Sequence, residues 1–185
     1  DVYAELVTAL PSSLTVLEQS PATDQDSYNV TRAFAEEHGV SSLEDLAGLD
    51  VPLVLGGAPE LEQRPYGPSG LFGTYGVTVR FEATGDTTVE DLLAGTVNLA
   101  NVYSADPRIQ TDDLVTLADP KGLFLASHVV PLVNAELADE LAEVINAVSA
   151  KLTPEGLVAL NVASTVDERS PADIAAEWLS AEGLV

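Results

Sequence analysis

The sequence predicts an α/β fold with a mixed or parallel sheet, divided between two lobes. Three observations carry this. Strand-like and helix-like segments alternate along most of the chain. Residues 51–55, Val-Pro-Leu-Val-Leu, form an unbroken apolar run of the kind buried on both faces of a parallel sheet. The texture changes near residues 105–128, after which helices dominate, and a Pro/Ser/Thr/Asp-rich stretch at 19–26 marks an earlier break. A chain that leaves one lobe, builds a second and returns to finish the first has this pattern.

The elements follow in order. Residues 14–18 and 27–31 read as strands, and 31–38 as a short helix stopped by Gly39. Ser41-Ser42-Leu43-Glu44-Asp45 has the form of a capping box and predicts a helix start. A strand at 51–55 is followed by a helix at 70–75 ending at Gly76, and by a strand at 77–81. Thr87 or Thr88 caps a helix to residue 94, with Glu90 and Asp91 in its first turn. Strands follow at 96–103, 114–117 and 129–133. Asn134 caps a helix over 135–150 with Leu137, Leu141, Val144, Ile145 and Val148 on one face. Thr153-Pro154 and Ser170-Pro171 open two further helices with proline at the first helical position, the last turning Ile174, Trp178 and Leu179 inward.

Composition narrows the function. The chain has 185 residues, enough for one full domain or two small lobes. No apolar run approaches the roughly 18 residues that span a membrane. There are 30 Asp and Glu against 7 Lys and Arg, a formal charge of −23, so phosphate backbones and anionic lipid surfaces would be repelled. The acids are spread along the chain, which fits a solvated acidic surface. The absence of Cys excludes disulfides, thiol catalysis and cysteine zinc sites. His38 and His128 lie far apart with no metal-ligand spacing, so a metal is not expected. The glycines at 70, 73 and 76 lack the Lys-Ser/Thr pair of a phosphate loop, and there is no G-x-S-x-G elbow. No signal peptide opens the sequence, which reads as a mature or trimmed chain.

Several stretches, in order, resemble the osmoprotectant (glycine betaine/choline/carnitine) binding proteins of ABC importers. Asp1-Val2-Tyr3-Ala4-Glu5 is similar to that family's D-x-Y-P-E, and Asp26-Ser27-Tyr28 to its D-x-Y element. The segments Glu60-Leu61-Glu62-Gln63-Arg64-Pro65-Tyr66-Gly67, Tyr103-Ser104-Ala105-Asp106-Pro107-Arg108-Ile109 and Leu114-Val115-Thr116-Leu117-Ala118-Asp119-Pro120-Lys121 resemble E-F-x-x-R-x-D-G, Y-S-T-D-G-R-I and L-V-V-L-E-D-D-K. The C-terminal stretch from Leu157 to Leu184 resembles the family's ending. The resemblance implies a two-lobed periplasmic-binding-protein-like fold of type II. It places residues 1–18 as a remnant of the first lobe and 19–112 as the second lobe. Residues 113–185 become the return crossing and the C-terminal helical part of the first lobe, the family's opening strands lying outside this chain.

The resemblance also supplies candidate site residues. Tyr28 and Tyr103 stand where the family places cage tyrosines, Asp26 lies beside the bound cation, and Arg64 would grip a solute carboxylate through its planar fork. Read from the residues alone, Tyr28 is equally an ordinary strand tyrosine, Asp26 a turn residue and Arg64 a surface arginine before a proline turn. Tyr66 and Tyr75 read as packing residues. Two expected cage tyrosines become Leu6 and Ser127, and His128 could line the cleft in place of a ring. The implied protein is a non-enzymatic, extracytoplasmic solute-binding protein without cofactor. It would be monomeric when full length, delivering a quaternary amine to a membrane ABC permease and binding no nucleic acid. The alternatives are a sensor or permease-fused domain of the same fold, a solute such as an amino acid, and an enzyme using scattered carboxylates.

Overall fold

The computed structural model describes residues 2–185 and divides them into two units, one running from Asp26 to Leu125 and the other joining the chain up to Gln25 with Ala126–Val185. In chain order the elements are α1 (Val2–Ala9), β1 (Leu14–Val16), β2 (Asp26–Thr31), α2 (Arg32–His38), β3 (Val54–Gly57), α3 (Pro68–Tyr75), β4 (Arg80–Ala83), α4 (Thr88–Leu93), β5 (Leu99–Tyr103), α5 (Arg108–Thr111), β6 (Leu114–Thr116), β7 (Leu132–Asn134), α6 (Ala138–Lys151), α7 (Pro154–Asn161) and α8 (Pro171–Ala181). The unit boundaries fall later than the expected residues 19 and 112. The reason is pairing: β6, assigned from sequence to the return crossing, hydrogen-bonds to β2 through Asn29–Thr116, Val30–Val115 and Thr31–Leu114.

The Asp26–Leu125 unit is a five-stranded mixed sheet in the order β4-β3-β5-β2-β6. Strands β4, β3 and β5 run parallel, while β2 is antiparallel to both its neighbours. Alternate residues feed two cores, as a sheet covered on both faces requires. Tyr28, Val30, Leu55 and Leu99 join Leu43, Leu46, Leu61, Leu71 and Phe124 on one side; Ala100 and Val102 join Val89, Leu92, Val97 and Leu114 on the other.

Local signals set most of the ends. Thr31 caps α2 by accepting the Phe34 N–H, and Gly39 closes the helix at φ 65°. The strand expected at 51–55 begins only at Val54, because Pro52 has no N–H to give a ladder. There the Asn98 side chain replaces the ladder, accepting from the Val54 N–H (2.8 Å) and donating to the Pro52 carbonyl (2.9 Å). Only the carboxylate half of the capping box at Ser41–Asp45 forms, and without its α-helix. Asp45 accepts the N–H groups of Ser41 and Ser42, both at 2.8 Å, which holds its carboxyl below the usual range, but one 3₁₀ turn (Asp45–Gly48) follows. Thr87 makes no capping bond; its hydroxyl goes to the Thr84 carbonyl and Asp91.

The other unit holds the two-stranded β1–β7 ribbon and the C-terminal helices. Asn134, Thr153 and Ser170 cap as their sequence positions suggest. On the α6 stripe Leu141, Ile145 and Val148 are half-buried, but Leu137 and Val144 are 47% and 69% exposed.

A polar knot braces the first core. The Tyr75 hydroxyl donates to Asp119 and accepts the Lys121 N–H, while Asp119 also takes the N–H groups of Leu123 (3.0 Å) and Phe124 (2.8 Å). Burial and that bond to Asp119 push the Tyr75 hydroxyl up to about 12, and burial with the neighbouring Asp26 charge raises Tyr28 as well. An unfolded tyrosine ionises near pH 10, so at higher pH the unfolded chain loses protons that the folded one keeps. Stability is therefore expected to be level below about pH 10 and to fall as pH rises toward 12. Urea midpoints across that range test this, and Tyr75→Phe should flatten part of the decline.

Candidate functional site

The Asp26–Leu125 unit carries a pocket of about 160 Å³ lined by Asp26, Ala58, Glu60, Leu61, Arg64, Tyr66, Asn101 and Tyr103. Topology explains its place. The chain passes from β3 to β4 on one side and then returns to β5 on the other, so strand order reverses between β3 and β5. A crevice opens outside the carboxyl ends of strands at such a switch. Ala58 follows β3 directly, and Tyr103 ends β5 opposite Asp26, the first residue of antiparallel β2.

Arg64 is carried by a turn wedged between two glycine contacts. The 3₁₀ turn Pro59–Gln63 ends when the Arg64 N–H donates to the Leu61 carbonyl at 3.1 Å, and the Arg64 carbonyl accepts from Gly67 at 2.9 Å. A β-carbon at Gly67 would stand 2.0 Å from the Leu61 oxygen, and one at Gly70 1.8 Å from the Pro65 oxygen. Only residues without a side chain allow this approach.

Charge distribution singles out the same residue. Of the seven Lys and Arg, Arg32, Arg80, Arg108, Lys121, Lys151 and Arg169 each meet a carboxylate, Arg108 two of them. Among the described residues Arg64 makes no ion pair, in a chain with 30 acids. Around it stand the Asp26 and Glu60 carboxylates, the Asn101 carboxamide and the rings of Tyr66 and Tyr103, the latter 57% exposed. Burial and hydrogen bonding to Asp26 push the Tyr66 hydroxyl above its ordinary value, so it stays a neutral donor. The pocket thus offers an anion-binding fork, two carboxylates and two aromatic faces to one small molecule.

Of the candidates read from sequence, Asp26, Arg64 and Tyr103 line this pocket. Tyr28 does not. It lies on the same strand face as Asp26 but is fully buried, its hydroxyl donating to the Tyr66 carbonyl at 2.6 Å and its ring edge-on to Phe124 at 5.1 Å. Phe124 also packs on Tyr66, with centroids 5.6 Å apart. Tyr28 therefore positions Tyr66, and Tyr66, read from sequence as a packing residue, lines the pocket as well as packing. Tyr75 is a core residue as expected. Ser127 and His128 belong to the other unit, on the segment returning beside residues 22–25. The signal for Tyr66 was its place two residues after Arg64 in the same turn. Tyr28→Phe should leave the Tyr66 carbonyl unpaired and cost about 1–3 kcal/mol, measurable by urea unfolding.

Among the described residues no helix is long and apolar enough to cross a membrane, and no His, Asp and Glu cluster is arranged to hold a metal ion. A family model described as the substrate binding domain of ABC-type glycine betaine transport systems matches residues 2–181. A solved glycine betaine/carnitine/choline ABC transporter structure is 25% identical with TM-score 0.82, covering 93% of this chain and 65% of its own. Apo YehZ from Escherichia coli is 26% identical with TM-score 0.77, covering 94% and 67%. The chain thus spans about two thirds of the length of either. Lactococcal OpuAC in complex with glycine betaine, 17% identical at TM-score 0.51 and covering 94% and 74%, shares the fold. That fold is the type II periplasmic-binding-protein class, and the family is one of solute binding, not catalysis. By a match that runs from residue 2 to residue 181, this chain belongs to the family of substrate-binding domains of ABC-type glycine betaine transporters.

Proposed function

We propose that this chain is the ligand-binding part of an extracytoplasmic solute-binding protein. It would deliver a small osmoprotectant-like zwitterion, a quaternary amine bearing a carboxylate, to the permease of an ABC importer, acting as a monomer. The observation that carries this is Arg64, the one Lys or Arg without an ion pair among the described residues, in a pocket shared with two tyrosine faces and Asp26. A quaternary ammonium has no hydrogen to donate and is held by ring faces at about 0.5–2 kcal/mol each. A guanidinium–carboxylate pair adds about 1.5–3 kcal/mol. Against the roughly −8 kcal/mol of a micromolar complex, Tyr66, Tyr103 and Arg64 provide a substantial share. Ser127 and His128, which lie in the other unit, stay ligand candidates through the resemblance alone.

A second reading, a solute with N–H donors such as an amino acid, has one observation in its favour. Tyr28 is withdrawn into the core, and Asp26, Glu60 and Asn101 leave acceptors at the pocket that a fully methylated nitrogen would not use. Titration calorimetry with glycine betaine, carnitine, choline, proline and alanine separates the two. Betaine and carnitine should bind, stabilising the protein by about 2.7 kcal/mol at a hundred times Kd. Binding of alanine or proline with silence from betaine would replace the first reading by the second.

A further inference from the structure

The segment after β6 forms neither helix nor strand between residues 119 and 125, so no repeating ladder holds it. Its order comes from one carboxylate. Pro120 and Gly122 (φ 67°) turn the chain, and the Gly122 N–H returns to the Asp119 carbonyl at 3.3 Å. The Asp119 side chain then gathers three donors. One oxygen accepts the Tyr75 hydroxyl and the Leu123 N–H, the other the Phe124 N–H at 2.8 Å. An ionised carboxylate accepts on both oxygens, whereas a carboxamide of the same size would set an N–H against an N–H.

The bond to the Phe124 N–H reaches beyond this turn. Phe124 is buried, and its ring packs edge-on to Tyr28 at 5.1 Å and tilted by 52° to Tyr66 at 5.6 Å. Tyr66 lines the Arg64 pocket. Its carbonyl accepts the Tyr28 hydroxyl and its own hydroxyl engages Asp26. A hydroxyl bond lies near the long axis of the ring and leaves rotation about that axis open. The Phe124 ring closes that freedom by packing.

We infer that Asp119 is a positioning residue of the solute pocket. By fixing the Phe124 backbone it sets the plane of the Tyr66 ring, the face that a quaternary ammonium would meet. The inference rests on the proposed quaternary-amine reading of that pocket. Asp119 itself stands outside the pocket lining and acts through Phe124.

The test reads the Tyr66 ring and the solute separately. With five tyrosines in the chain, Tyr66→Phe identifies the Tyr66 ring signals in NMR spectra of the full chain. In Asp119→Ala these signals should shift and broaden, while those of Tyr3, in the other unit, stay in place. Affinity for tetramethylammonium, which meets ring faces only, should fall about threefold to tenfold. Acetate, which engages Arg64, should change by less than about twofold. Asp119→Asn keeps one accepting oxygen and should retain part of the affinity. Tyr75→Phe removes a hydroxyl but leaves both amide bonds to Asp119. It should lower stability yet keep the Tyr66 signals and tetramethylammonium affinity near parental. In a Phe124→Leu background, Asp119→Ala should cost no further affinity, because the route through the ring is already cut.

Tyr66 signals unmoved in folded Asp119→Ala, or losses that add to those of Phe124→Leu, would overturn the inference. So would a Tyr75→Phe protein that loses tetramethylammonium to the same degree, since stability would then explain both. Should Asp119→Ala fail to fold, Asp119→Asn gives the same readings with smaller shifts. A parent that ignores tetramethylammonium would sink the proposed solute class, while the Tyr66 signals would still decide the role of Asp119.

Discussion

Arg64→Ala is expected to weaken binding of a carboxylated solute by about 1.5–3 kcal/mol, roughly tenfold to more than a hundredfold. The mechanism is the loss of a planar, two-pronged donor that the protein itself does not occupy. Folding stability should stay within about 0.5 kcal/mol of the parent, because an exposed side chain with no ion pair is being removed. Choline, which has a quaternary amine and no carboxylate, supplies the control and should bind the variant almost as before. Arg64→Lys should recover only part of the affinity, since an ammonium keeps the charge but not the fork. Calorimetry on betaine and choline in parallel reads the result. Equal losses for both solutes would mean that Arg64 shapes the pocket without contacting a carboxylate.

Gly70→Ala and Gly73→Ala, three residues apart on α3, are expected to move stability in opposite directions. A β-carbon at Gly70 would lie 1.8 Å from the Pro65 oxygen and 2.8 Å from its carbon, and both are backbone atoms that no side-chain rotation can clear. Helix or turn must shift, at a cost of about 1–3 kcal/mol or more, and the turn that moves carries Arg64 and Tyr66. Solute affinity should therefore fall together with stability. At Gly73 a β-carbon meets nothing within 4 Å, so alanine there should stabilise by about 1 kcal/mol through helix propensity, with binding untouched. Urea unfolding and calorimetry on the two variants measure both effects. A Gly70→Ala protein with parental stability and affinity would show that the turn is free to relax, and that the two glycines do not fix Arg64.

Much of this was legible in the residues. The αL glycines at 39 and 76, the Thr31, Asn134, Thr153 and Ser170 caps and the proline at the head of two C-terminal helices act within a few residues of themselves. Their positions therefore fixed helix ends before any packing was known. The apolar run before Gly56 marked an interior strand of the sheet, β3, though Pro52 moved its start. Arg64 stood out because cations are scarce in so acidic a chain, and Asp26 and Tyr103 through the resemblance their motifs carried.

Other features depended on contacts that no local pattern encodes. Tyr28 and Asp26 share a strand face by simple alternation, yet one is buried and the other lines a pocket. The difference is Phe124, a residue nearly a hundred positions away that closes over Tyr28 and presses on Tyr66. β6 belongs with β2 because their backbone groups pair, and a three-residue strand carries too little pattern to announce its partner. Leu137 and Val144 fit the helical period yet stand exposed. His128 became distinctive only once its neighbours left Nδ1 buried and unpaired. Periodicity and capping are short-range and so belong to the sequence; which face is covered, and which polar atom is left over, is settled only when distant segments compete for the same surface.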